Sequence, residues 1–202
     1  TLLASSAASD VYKRQGMSLR ILFEQLRDIR SDVRIPLILM GYLNPIMKFG
    51  FEAFCQKCVE CGIDGVIIPD LPFKDYEETY KPIADRYDIR VIMLITPETS
   101  EARVREIDEH TDGFIYMVSS AATTGAQKDF DSQKQAYFKK IQDMHLRNPR
   151  MVGFGISNKQ TFDAACANSS GAIIGSRFVT LLNEAEGDAE KAITQLKEGL
   201  KK

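Results

Sequence analysis

Two glycine-bearing segments in the C-terminal part of the chain have the residue types to hold an anion. Gly153-Phe154-Gly155-Ile156-Ser157 and Ile174-Gly175-Ser176-Arg177 each close a short apolar run. Glycine at the end of a strand lets backbone N–H groups come close to a charged ligand. A helix beginning at Ser176 would aim its first N–H groups and the positive end of its dipole at the same point. Phosphate is the ligand this pattern suits. Either turn alone reads better as a tight strand-to-helix connection, whereas the pair on two consecutive strands favours binding.

Further candidates lie upstream. The segment 119–128 is small and polar, and longer than most such connections, as a lid closing over substrate would be. Within it, Gly125 can present an N–H to phosphate and Thr124 a hydroxyl to a neighbour; a flexible surface loop is the equal alternative. Asp70, held in Pro69-Asp70-Leu71-Pro72 after an apolar run, is a candidate for catalysis or orientation, or for capping the next turn. Asp64 and Asp112 precede apolar runs and are assigned no chemistry, and His110 and His145 read as surface histidines at helix ends. Cys55, Cys58 and Cys61 have the spacing of a metal or cluster site. Phe51, Phe54, Cys55, Cys58 and Val59 nevertheless recur at helical spacing with Gly62 as a stop, which predicts buried helical thiols and no metal.

These residues must be carried by regular elements. Apolar strand candidates fall at 36–42, 65–69, 90–95, 113–119, 151–155 and 172–175. Helical patterns start near Met17 and occupy 51–61, 76–87, 100–109, 133–144, 159–167 and 189–200. Short apolar strands alternating with helices predict a parallel sheet covered by helices, an α/β fold. A closed (β/α)8 barrel takes eight strands and about 250 residues. The six strands here therefore predict an incomplete barrel lacking strand 1, helix 1 and strand 2. A doubly wound open sheet is the rival, but Met40-Gly41-Tyr42-Leu43-Asn44-Pro45 offers no dinucleotide fingerprint.

The totals agree with one domain. The chain has 202 residues, 44% of them hydrophobic and 27% charged, with a net charge of -2. That balance suits a packed core and gives no bulk attraction for nucleic acid or anionic membrane. No apolar stretch approaches the roughly 18 residues of a membrane span, so a soluble, cytoplasmic protein is expected. Residues 1–15 show no apolar period and resemble translated adapter read-through, so they are read as a non-native or disordered leader, with the barrel domain over 16–202.

Several ordered segments carry a resemblance: Pro36-Leu37-Ile38-Leu39-Met40-Gly41-Tyr42-Leu43-Asn44-Pro45, Gly62-Ile63-Asp64-Gly65-Val66-Ile67-Ile68-Pro69-Asp70-Leu71-Pro72, Gly113-Phe114-Ile115-Tyr116-Met117-Val118-Ser119, Thr124-Gly125, Gly153-Phe154-Gly155-Ile156-Ser157 and Gly175-Ser176. Together they resemble the tryptophan synthase α subunit family, collinearly over nearly everything after Gly16. The resemblance implies a (β/α)8 barrel that cleaves indole-3-glycerol phosphate to indole and glyceraldehyde 3-phosphate. It implies a β subunit as partner in an α2β2 assembly, with pyridoxal phosphate belonging to that partner and no cofactor on this chain.

By the same resemblance Gly125, Gly155, Gly175 and Ser176 match phosphate-binding positions, and Tyr42, Asp70, Tyr116 and Phe154 line the pocket. Thr124 matches the lid threonine, while Asn44 and Pro72 match positions facing the β subunit. The family's catalytic glutamate and aspartate match nothing here, since both precede the helix that starts near Met17. The lid departs from the family pattern at Ala121-Ala122-Thr123 and Gln127. Alternatives are another phosphate-binding barrel of tryptophan or histidine biosynthesis, or a non-catalytic module that binds phosphate or the β subunit.

Overall fold

The computed structural model describes residues 17–118, 127–153 and 155–201. The expected leader, Thr124, Gly125 and Phe154 lie outside the described residues. The chain divides into two compact units, Thr1–Met93 with His110–Gly113, and Leu94–Glu109 with Phe114–Lys202. Each holds one sheet, of order β1-β2-β3 in the first and β4-β5-β6-β7 in the second. All the pairings are parallel.

In the first unit, α1 (Leu19–Leu26) starts at Ser18, whose hydroxyl accepts the Ile21 N–H at 3.3 Å. A 3₁₀ turn (Ile29–Ser31) leads to β1 (Ile38–Met40), α2 (Leu43–Phe49) and α3 (Phe51–Glu60). Next come β2 (Gly65–Ile67), a helical stretch of α4 (Phe73–Asp75), a π-helical turn (Tyr76–Tyr80) and α5 (Lys81–Arg86), and then β3 (Arg90–Ile92). Strand β2 pairs with a neighbour on both sides and is buried at every residue, as a central parallel strand should be. The core around α3 is aromatic: Phe23 meets Phe54 at 5.6 Å and Phe51 meets Tyr80 at 4.7 Å between ring centroids, both edge to face.

Helix α3 ends as its sequence dictates. Gly62 takes φ +68°, its N–H reaches Val59 O at 2.9 Å, and Ile63 N–H reaches Cys58 O at 2.8 Å. The carbonyls of the last turn are thereby satisfied. Cys55 and Cys58 are buried on this helix and Cys61 at its C-cap, and burial raises all three thiol pKa values, that of Cys55 to about 11. Among the described residues no group of three or more His, Cys, Asp or Glu is placed to hold a metal.

The approach to β1 is fastened by Arg30. Its guanidinium donates to Gly62 O at 2.6 Å, Val33 O at 3.2 Å and Ile35 O at 2.7 Å, and pairs with Asp64. Asp64 Oδ2 also accepts Leu37 N–H at 2.7 Å. That backbone bond, followed by the Arg30 pairing, holds the Asp64 carboxyl below its usual value. A depressed carboxyl adds stability above the unfolded-state pKa of about 3.9 and loses it as pH falls through the lower folded value. Asp64→Asn is expected to cost under about 1 kcal/mol at pH 7, since the side chain is half exposed, and less at pH 3. Urea midpoints of both proteins at the two pH values check this.

The second unit runs β4 (Leu94–Ile95), α6 (Glu101–His110), β5 (Ile115–Val118), α7 (Gln127–Asp143) and β6 (Arg150–Gly153). It continues through α8 (Lys159–Cys166), β7 (Gly171–Ile173), α9 (Ser176–Glu184) and α10 (Ala189–Gly199). Asn158 and Thr161 form a reciprocal capping box on α8, and Asp188 accepts Lys191 N–H at 3.0 Å on α10. The start of β6 hangs on buried Asp108, whose carboxylate accepts Arg147 N–H at 2.7 Å and Asn148 N–H at 2.8 Å. Asp108→Asn keeps one acceptor oxygen but turns the other into a donor facing an N–H. It is expected to cost about 1.5 kcal/mol, read as a lower urea midpoint at unchanged slope.

Three sequence expectations change. The strand expected at 90–95 is two strands, because β3 pairs with β2 whereas β4 pairs with β5, the change of partner falling at buried Met93. The run 36–42 was expected to be buried on both faces, yet Ile38 and Met40 are exposed; among the described residues β1 has a strand neighbour only in β2. Helix α2 was not foreseen; its Pro45 sits in the first helical turn, where proline is tolerated because no N–H bond is lost. His110 and His145 are exposed as expected, with His110 Nδ1 against Glu77.

Candidate functional site

The expected site residues fall at the C-terminal ends of strands in both units. In the first, β1 and β2 end side by side at Met40 and Ile67, and Gly41 N–H donates to Ile67 O at 3.1 Å. Tyr42 follows in extended backbone (φ −81°, ψ 153°) as the N-cap of α2, and its side chain makes no capping bond. The cap comes instead from Asp70, whose Oδ1 accepts Leu43 N–H at 2.8 Å. Asp70 thus caps the turn after β1, not its own next turn. Half-buried Tyr42 borders a small apolar cleft of about 50 Å³ with Met40, Pro45, Ile46 and Phe54. Asn44, in the first turn of α2, and Pro72, the N-cap of α4, are both exposed.

In the second unit the two glycine turns stand next to each other. Gly153 on β6 is in register with Ile173 on β7, and Gly155 and Gly175 each lie two residues further on. Neighbouring strands are about 4.8 Å apart, so both turns open at the C-terminal end of this sheet. Gly155 has φ +78°, a conformation that favours glycine. Gly175 has φ −103° and is the N-cap of α9, which begins at Ser176 as the sequence predicts. A glycine cap offers no side-chain oxygen, and the first N–H groups of a helix, at the positive end of its dipole, suit an anion. A Cβ added at Gly175 would meet nothing within 4 Å. Here the glycine leaves room beside the helix end and is not demanded by backbone conformation.

Tyr116 lies between Leu94 and Met151 in register and is 4% exposed. Burial pushes its phenol up to about 12, so it remains a neutral hydroxyl at physiological pH. Its ring lies over Gly153, where a Cβ would stand 2.0 Å from the hydroxyl oxygen. Sequence reading took Gly153 only as a flexible strand end and missed this packing, which depends on a diagonal neighbour across two strands.

A larger open groove, of about 780 Å³, contains none of the expected residues. It is lined by Glu101, Arg105, Gln135, Lys139, Lys140 and Asp143 among others. Lys140 pairs with Glu101 at 3.1 Å and Lys139 with Asp143 at 2.9 Å, so its charges largely answer one another.

Known proteins bear on this geometry. The family model described as tryptophan synthase alpha chain matches residues 6–202. The tryptophan synthase alpha chain of Bacteroides fragilis is 80% identical over 184 residues, which are 91% of this chain and 70% of that protein. That of Bacteroides thetaiotaomicron is 78% identical over 188 residues, 93% of this chain and 73% of its own length. Among solved structures, tryptophan synthase subunit alpha from Campylobacter jejuni superposes with a TM-score of 0.80 at 29% identity, covering 96% of this chain and 75% of that one. The A-subunit from Pyrococcus furiosus gives 0.79 at 27% identity, over 93% and 75%.

Proposed function

Since the chain belongs to the tryptophan synthase alpha chain family, and its parallel strands to the (β/α)8 barrel of that family, we propose that it grips the phosphate of indole-3-glycerol phosphate at the turns after β6 and β7. The reaction is the retro-aldol cleavage of that substrate to indole and glyceraldehyde 3-phosphate, a lyase activity. The observation that carries the proposal is the pair of adjacent glycine turns with α9 starting at Ser176.

Each proposed residue has a physical task. The N–H groups at Gly155, Gly175 and Ser176 would meet phosphate oxygens at the positive end of α9, with Gly125 and the hydroxyl of Thr124 closing from the lid. Tyr42, Tyr116 and Phe154 are proposed as substrate-pocket residues, each by its match to a family position. Cleavage of the bond from indole C3 to the glycerol chain needs a proton delivered to C3, one removed from the side-chain hydroxyl, and support for the indole N–H as charge develops. We assign none of these transfers to Asp70, because its carboxylate is engaged by Leu43 N–H.

Asn44 and Pro72, both exposed, are proposed to face a β subunit in an α2β2 assembly that receives the indole. Among the described residues no helix is long and apolar enough to cross a membrane. The test is product analysis: the full-length protein, mixed with the β subunit and indole-3-glycerol phosphate, should release indole and glyceraldehyde 3-phosphate in equal amounts. Conversion to any other product, or no turnover, rejects the proposal.

A further inference from the structure

We infer that Asp70 is a positioning residue, which sets the backbone turn presenting Tyr42 by holding the N–H of Leu43. The inference rests on the reading that Tyr42 faces substrate. Helix α2 is only seven residues long, and the side chain of its N-cap residue does not cap it. An unmet N–H at its first position would leave the turn free to fray. Asp70 meets that N–H from 27 residues away, at the end of the neighbouring strand. The loops after β1 and β2 are therefore joined by a charge-assisted bond just beyond the last ladder contact, Gly41 N–H to Ile67 O.

The anchor itself is stiff. Asp70 stands between Pro69 and Pro72, Leu71 N–H returns to Ile68 O at 3.1 Å, and Tyr76 N–H bonds Pro72 O at 2.9 Å. A carboxylate fixed in this way transmits the position of β2 to the Tyr42 turn. It acts on substrate through the backbone and takes no proton.

The experiment compares indole release by full-length variants in complex with the β subunit. Asp70→Ala should lower kcat/KM by about tenfold, the worth of one charge-assisted bond, while the melting temperature moves by only a few degrees. Asp70→Asn, which keeps an acceptor oxygen, should recover most of that loss. Leu43→Pro removes the N–H at a first helical position, where proline is accepted, and the extended Tyr42 before it already suits a proline. With Leu43→Ala as the control for the lost side chain, Leu43→Pro should reproduce the Asp70→Ala defect. Adding Asp70→Ala to Leu43→Pro should then cost nothing more.

Wild-type kinetics in Asp70→Ala overturns the inference. So does Asp70→Asn as impaired as Asp70→Ala, or a full Asp70→Ala penalty in the Leu43→Pro background. Should Leu43→Pro fail to fold, the contrast between the two Asp70 variants decides alone. Wild-type protein that releases no indole overturns the parent reading and this inference with it.

Discussion

Replacing Gly153 with alanine is expected to destabilise the protein by at least about 3 kcal/mol, the upper range for overpacking a filled interior. The new Cβ would stand 2.0 Å from the Tyr116 hydroxyl oxygen, 2.3 Å from Cζ and 2.6 Å from Cε1. A flexible surface side chain could swing away from such a contact. Tyr116 cannot do so cheaply, because it is 4% exposed and fixed in register between Leu94 and Met151. Either the ring leaves its space or β6 moves away from β5, and both lose buried contacts.

The same geometry sets the pattern of rescue. Tyr116→Phe removes only the oxygen and leaves ring carbons within 2.6 Å, so it should restore little. Tyr116→Ala clears the space at its own cost in lost burial, and the double variant should be more stable than the sum of the two single losses. Urea midpoints around this cycle provide the check; strict additivity would refute the contact. Since β6 leads directly into Gly155, the Gly153→Ala protein should also bind substrate more weakly.

What the sequence made legible was local. The stop of α3 at Gly62 follows from a glycine beside a helical apolar period, and a helix does begin at Ser176, where the anion-binding reading of Gly175-Ser176 requires one. Buried thiols on α3 follow from the same spacing. What escaped depends on partners distant in the chain. Arg30 carries no local signal of a role, yet its guanidinium serves the Gly62 carbonyl and pairs with Asp64. Asp70 reads as a pocket carboxylate or a cap for its own loop, yet it caps α2. Neither side chain's type specifies a partner some 30 residues away. The division of 90–95 at Met93 was equally hidden, because an apolar run looks the same whether its two halves pair with one neighbour or with two.

The other large effect is expected at Gly175, where an aspartate should weaken phosphate binding on the order of a hundredfold through like-charge repulsion at a few ångströms. The position isolates electrostatics from folding: its φ of −103° suits any residue, and a Cβ there meets nothing within 4 Å. Gly175→Ala should accordingly melt like wild type and bind nearly as well, while Gly175→Asp should melt like wild type and bind poorly. The most direct measurement is calorimetric titration of the full-length subunit with glycerol 3-phosphate, which carries the phosphate and no indole. Saturable binding to wild type that is lost in folded Gly175→Asp is the expected result. Equal affinity in the two proteins, or no saturable binding to wild type, would contradict a phosphate grip at the turns after β6 and β7.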